Sequence, residues 1–172
     1  MPDSLRLSTF LPATPRRVYQ AWLSSQAHTA FTGAEAEVEA RVGGRHRAWD
    51  DYITGRILEL EADRRIVMTW RTTEFPSGSP DSRVEVLLEP EKGGTRLTLF
   101  HSQIPPGDGP KYDEGWQENY FGPMTAYFKK KPNATRRKSA RAKVAGGRPA
   151  KAGVGRKTRA KTRRKADKRR RL

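Results

Sequence analysis

The sequence predicts an α+β domain of two layers, an antiparallel sheet closed by one long amphipathic helix, followed by a basic tail. Three observations predict it. Six short alternating segments follow one another between residues 36 and 102, separated by turn residues. Strands joined by short turns pair as an antiparallel meander. Tyr112, Trp116, Tyr120, Met124 and Phe128 recur every four residues, so a helix would stack them on one face. That face is too apolar to leave in water, and the strands before it are the partner it needs. Residues 1–128 carry 14 Lys/Arg and 18 Asp/Glu, a net −4, whereas residues 129–172 carry 21 Lys/Arg and one acid, Asp167, a net +20.

Ser4 to Leu11 alternates and reads as a strand that Pro12 ends. Thr14-Pro15 supplies an N-cap followed by proline at the first helical position, and the helix runs through Val18, Tyr19 and Trp22. Ser24-Ser25 caps a second short helix holding His28 and Phe31, which Gly33 stops. The expected strands are Ala36 to Ala40, Arg45 to Asp50, Ile53 to Ala62, Arg65 to Thr73, Arg83 to Glu89 and Thr95 to Ser102. Ile57, Met68, Trp70, Val84, Val86, Leu88, Leu97, Leu99 and His101 are placed inward, and Lys92-Gly93-Gly94 turns the last hairpin. A proline-rich loop, 105–110, leads into the aromatic helix. Gly122-Pro123 lies inside that helix. Proline there removes a hydrogen bond, so a kink is expected near Gly122.

Composition bounds the chemistry. There is no cysteine, so disulfide frameworks and thiolate catalysis are excluded. His28, His46 and His101 lack metal-ligand spacing, and no GxSxG, HExxH or GxGxxG motif is present. GVGRKT (153–158) matches a phosphate loop only superficially, because its glycine–lysine spacing is wrong and no strand precedes it. Asp50-Asp51, read as neighbours on a strand, would point to opposite faces and form no acid–base pair. The N-terminus resembles no signal peptide and no window approaches a membrane span. The expectation is a cytoplasmic protein with no membrane partner.

The ordered stretches TPRRVYQAWL (14–23), FTGAEA (31–36), VGGRHRAWDDYITGRILEL (42–60), RRIVMTWR (64–71), PDSRVEVLLEPEKGGTRLTLFHSQIP (80–105) and YDEGWQENYF (112–121) carry a resemblance. Together they resemble the SRPBCC (START/Bet v 1-like) superfamily. The branch they are most similar to is that of the C-terminal domain of the activator of the 90-kDa heat-shock protein ATPase. The resemblance implies a helix-grip fold, a curved antiparallel sheet around a long C-terminal helix with a cavity between them. It implies a chaperone as a partner, and cyclase or hydrolase activity as an alternative known in the superfamily. This chain has His46 where the family often has an aromatic residue, and Asp51 where it usually has glycine. The first substitution is expected to make the cavity more polar and the second to alter the turn.

The candidate ligand cavity is walled by His46, Met68, Trp70, Leu99, His101, Trp116, Tyr120 and Met124, with Tyr127-Phe128 sealing its far end. A packed core is the alternative reading. His101 is either a satisfied core residue or a contact to a ligand oxygen, and it is the one candidate acid or base. Arg71 and Glu74 are expected at the cavity rim. The occupant would be a small apolar or amphipathic molecule, or a protein client, bound without catalysis. No cofactor and no metal is expected.

Residues 132–172 hold no aromatic residue and few large aliphatics, too little apolar surface to offset ordering entropy, so they are expected to be disordered when free. The cations Arg136, Arg137, Lys138, Arg156, Lys157, Arg163, Arg164, Lys165, Arg169, Arg170 and Arg171 predict binding to DNA or RNA by counterion release, without sequence preference. Association with the nucleoid would follow. The tail resembles those of linker-histone-like bacterial proteins in composition alone, and a merely solubilising extension is the alternative.

Overall fold

The computed structural model describes residues 1–130. Strand β1 (Asp3–Leu11) leads to helices α1 (Pro15–Leu23) and α2 (Ser25–Thr32). Strands β2 (Glu37–Val38), β3 (Arg45–Ala48), β4 (Ile53–Glu61), β5 (Arg65–Thr72), β6 (Ser82–Glu91) and β7 (Gly94–Ile104) follow. The C-terminal helix has three parts: α3 (Gly109–Trp116), a π segment (Gln117–Phe121) and α4 (Gly122–Lys129).

Local chemistry sets the helix ends as expected. The Thr14 hydroxyl accepts from the Arg17 N–H with Pro15 in the first turn, and the Ser24 hydroxyl accepts from the Ala27 N–H. Gly33 closes α2 in the left-handed conformation, at φ 78°. The seven strands form one antiparallel sheet in the order β1-β7-β6-β5-β4-β3-β2, so β1 returns to pair with the last strand. A bulge falls between Ile57 and Glu59 of β4, and Leu58, the extra residue, is left 41% exposed. Bulges bend and twist a strand, which suits a sheet that must wrap a helix.

Two expected strands are shorter than the alternation suggested. β2 is confined to Glu37–Val38, and β3 ends at Ala48. Trp49, Asp50 and Asp51 all have left-handed backbone, at φ 56°, 53° and 68°, and reverse the chain into β4. Asp50 and Asp51 are therefore turn residues, not strand neighbours. Asp50 Oδ1 accepts from the Glu35 N–H, and Asp51 Oδ1 pairs with Arg47 at 2.8 Å. They form no acid–base pair for that reason.

At Gly122, where the sequence predicts a kink caused by Pro123, the helix shows a change of hydrogen-bond register. The five residues before Gly122 are π-helical, and the Gly122 N–H bonds back to the Gln117 carbonyl. Pro123 falls in the first turn of α4, where its missing N–H costs little. In a pure α-helix a four-residue row drifts by about 40° per step. The wider i→i+5 turn rotates the row back. Tyr112, Trp116, Tyr120, Met124 and Phe128 are accordingly all buried on one side.

The core lies between the concave sheet face and the three helical elements. It contains Leu11, Val18, Ile66, Val84, Val86, Leu97 and Leu99, together with the aromatic row. The outer sheet face is ionic. Arg65 lies 2.6 Å from Glu59 and 2.7 Å from Glu85, with Glu61 beside it. No helix among the described residues is long and apolar enough to cross a membrane.

Candidate functional site

The heart of the grip is packed with rings. Trp22 of α1 stacks on Trp116 and Tyr120 at 6.4 and 5.7 Å between centroids. Trp116 lies 4.7 Å from Tyr120 and 5.7 Å from Trp70 of β5. The void they leave is about 10 Å³, near the smallest that holds one water. His46, Met68, Trp70, Trp116 and Tyr120 border it.

A larger recess of about 240 Å³ opens beside this packed centre, between the β3–β4 turn and the C-terminal helix. Its walls are the rings of Trp49, Tyr52, Trp70, Tyr112, Trp116 and Tyr120. Lys111, Gly115 and Asn119 edge it from the helix. Of the eight expected cavity residues, Trp70, Trp116 and Tyr120 border both spaces, and Met68 and His46 border only the inner void. Leu99, His101 and Met124 are buried and border neither. Phe128 is buried at the far end of the helix, beside half-buried Tyr127.

Trp49, Tyr52, Lys111 and Asn119 were not anticipated. Lys111, Gly115 and Asn119 form a second row at four-residue spacing, one position before Tyr112, Trp116 and Tyr120, and that signal is in the sequence. The inward turn of Trp49 depends on three left-handed residues and is not. Glu74 accepts from the Tyr52 hydroxyl at 2.9 Å and pairs with Lys111, so it does stand at the rim. Arg71 is paired with Asp81 at 2.8 Å and covers the Phe75 ring.

Hydrogen bonding assigns the buried histidines. Trp116 Nε1–H donates to His101 Nδ1 at 3.1 Å. Indole is only a donor, so the His101 proton sits on Nε2. Nε2–H then donates to Ser82 Oγ at 2.8 Å, and the Ser82 hydroxyl donates to the Trp70 carbonyl at 2.6 Å. His28 has the opposite tautomer: Nδ1–H donates to the Trp22 carbonyl at 2.9 Å, and Nε2 accepts from the Tyr120 hydroxyl at 3.3 Å. Burial drives His101 down to about 3 and His28 down to about 4, the latter against the pull of the Trp22 carbonyl. Burial also raises the Tyr120 phenol well above its ordinary range. His46 is lowered by burial, partly offset by its bond to the Thr69 carbonyl at 2.9 Å.

Among the described residues no group of three or more His, Asp or Glu side chains is placed to hold a metal ion. The expected polyanion contacts of the tail, Arg136 to Arg171, lie outside the described residues.

This arrangement has known counterparts. Residues 12–129 match the model of the family described as activator of Hsp90 ATPase homolog 1-like protein. The chain belongs to that family. The AHSA1-like domain is 30% identical over 113 residues to the human activator of 90 kDa heat shock protein ATPase homolog 1, covering 66% of this chain and 33% of the relative. It is 26% identical over 117 residues to the corresponding Dictyostelium discoideum homolog, covering 67% and 30%. The chain thus spans about a third of the length of the curated relatives it matches. In structure it is similar to a Plasmodium falciparum HSP90 activator, with a TM-score of 0.67, 23% identity, and coverage of 72% of this chain and 94% of the other. A Chromobacterium violaceum protein superposes with a TM-score of 0.62 at 30% identity, covering 76% and 100%. The fold is the helix grip of the SRPBCC superfamily, as the ordered stretches implied. Asp51, the position at which the resemblance implied glycine, holds the left-handed φ that glycine adopts freely.

Proposed function

We propose that residues 1–130 form a non-catalytic binding domain that takes a small apolar or amphipathic molecule in the recess at the mouth of the grip. The observation that carries this reading is the recess of about 240 Å³ walled by six aromatic side chains. Small-molecule sites are concave and mostly apolar, with few polar groups. The absence of catalysis is supported by two of the three histidines. His28 and His101 each have both ring nitrogens committed to protein partners, so neither offers a free lone pair to a substrate proton.

Gly115 provides the test. A Cβ there would meet only the Asn119 side chain, at 4.0 Å, so Gly115→Leu fills the mouth without a backbone clash. Tryptophan fluorescence of the full chain is titrated with a panel of lipophiles. Quenching by at least one compound, lost in Gly115→Leu at unchanged Tm, supports the reading. No quenching by any compound overturns it.

A second reading, as a cofactor of a chaperone ATPase, is favoured by the 30% identity to the human activator. Adding the chain to a 90-kDa heat-shock chaperone should then raise its ATPase rate, and an unchanged rate removes this reading. For residues 132–172 the charge alone supports association with DNA or RNA, independent of sequence.

A further inference from the structure

We propose that the open edge of β1, with the groove between it and the C-terminal helix, docks an extended basic segment of a partner protein, which adds to the sheet as a further strand. The groove shares no lining residue with the aromatic recess, so the inference stands apart from the ligand reading.

The two edges of the sheet differ. β2 offers two residues, Glu37–Val38, too few to template a partner. β1 offers nine, Asp3–Leu11, and pairs on one side only, with β7. In an antiparallel ladder, alternate residues turn both backbone groups away from the neighbouring strand. Among the described residues, no backbone hydrogen bond outside the ladders and helices reaches residues 3–10. The outward N–H and C=O groups of β1 are therefore a template for another strand. The usual blocks are missing. No proline interrupts β1, its register shift between Asp3 and Leu5 leaves Leu5 to Leu11 regular, and its inward row of Leu5, Leu7 and Thr9 carries no charge.

That row also shows what a new strand would cover. Leu5, Leu7 and Thr9 lie opposite His101, Leu99 and Leu97 of β7. The three β7 residues are fully buried, whereas the three on β1 are only half-buried. Between them and the helix the groove runs in two adjoining stretches of about 800 and about 520 Å³ that share Gln117. Ser4 and Leu5 border the first, and Leu7, Ser8 and Thr9 border the second, so the groove follows the strand. An extended peptide there would gain main-chain hydrogen bonds from β1 and set alternate side chains beside Leu5 and Leu7.

Charge selects the occupant. Asp3, Asp113, Glu114 and Glu118 line the first stretch, and no lysine or arginine does. The Asp3 carboxylate is pinned there, accepting from the Gly107 and Gly109 N–H groups at 2.9 and 3.0 Å. Lys111, on the same helix, is committed to Glu74 at the recess. A cleft lined by one sign of charge attracts the opposite sign, so the fitting strand carries lysine or arginine. A second copy of this chain would not supply it. An antiparallel β1–β1 pair brings the Leu11 end of one strand to the acidic end of the other, and residues 7–11 contain no cation.

The experiment uses the ¹⁵N-labelled full chain and three peptides. The probe alternates lysine with valine over seven residues. One control has glutamine for every lysine. The other is the probe with every backbone nitrogen methylated, which keeps the charge and side chains but has no N–H to donate. Residues 132–172 carry the probe's own sign of charge and do not attract it. The probe is expected to shift the amide signals of Leu5 to Thr9 and to slow their hydrogen exchange, and neither control is. In the double variant Glu114→Lys, Glu118→Lys, both at exposed positions, the probe's affinity is expected to fall at least ~fivefold at unchanged Tm. No probe binding at millimolar concentration, or binding with stationary β1 amides, overturns the inference. Equal binding of the methylated control overturns strand addition. Equal binding of the glutamine control, or unchanged affinity in the double variant, overturns selection by charge. A free chain that is already a dimer with protected β1 amides assigns the edge to a second copy and overturns the inference as well. If the double variant does not fold, the two control peptides decide.

Discussion

The buried side chains of Trp116, His101 and Ser82, ending on the backbone carbonyl of Trp70, tie the C-terminal helix to strands β5, β6 and β7. Each hydrogen bond of this chain is made only while His101 is neutral. Protonation of Nδ1 would set two N–H donors against each other at Trp116. The same holds at His28, whose Nε2 must stay unprotonated to accept from Tyr120. An unfolded histidine titrates near ~6.5, whereas these two are held down to about 3 and about 4. The unfolded chain therefore binds more protons below about pH 6.5, and stability falls as pH drops from there toward the folded values. Urea unfolding between pH 7 and 4 should show this decline. His101→Gln should flatten it, and an equally steep profile in that variant would assign the loss to other groups. Trp116→Phe keeps most of the ring but leaves His101 Nδ1 without its donor. It should cost about 1–3 kcal/mol by chemical denaturation, less than the ~3–5 kcal/mol of Trp116→Ala.

At the scale of elements, the decisive feature is the π segment Gln117–Phe121. It holds one more residue per turn than an α-helix would at this place. That surplus keeps Tyr112 and Trp116 on the same face as Met124 and Phe128. Deleting the exposed Glu118 removes that surplus, so the segment should become α-helical with the two halves of the row still in phase. The expected result is a folded domain whose Tm stays within a few degrees of the parent, since no buried side chain has been removed. A Tm lowered by more than about 10 °C would show that the π turn itself, and not only the phase of the row, holds the grip. The turn Trp49–Asp50–Asp51 works the same way at the opposite wall of the recess. Three left-handed residues place the Trp49 ring there.

For the whole molecule, the sign of charge divides the chain into a folded part at net −4 (residues 1–128) and a following part at net +20. The domain's own cations are largely occupied on the outer sheet face, as Arg65 is by Glu59 and Glu85. Polyanion binding should therefore belong to residues 132–172. With ~8 phosphates neutralised, log K should fall against log salt with a slope of roughly −7 on duplex DNA, with little sequence preference. Removing those residues should abolish binding, and retention in the truncated chain would transfer it to the domain. The chaperone reading is tested at this scale as well, because the curated relatives are about three times as long as the matched segment.

Much of this protein was legible without coordinates. The alternation of β5, β6 and β7, the caps at Thr14 and Ser24, the stop at Gly33 and the aromatic row are local patterns, and local patterns determine local structure. The sequence by itself also determined that the row needed an apolar sheet and that charge changes sign after Phe128. Tertiary structure decided what local pattern cannot encode. It ended β3 at Ala48, because left-handed backbone at three non-glycine residues is set by the turn they must make. It placed Leu99, His101 and Met124 in solid core and Trp49 and Tyr52 around the recess, because the curvature of the sheet determines which inward residues meet a partner and which meet a gap. Among the described residues it also left one buried side-chain donor, the Trp70 indole N–H, without a hydrogen-bond partner. Whether a buried donor is satisfied depends on atoms far apart in the chain, and only the fold brings them together.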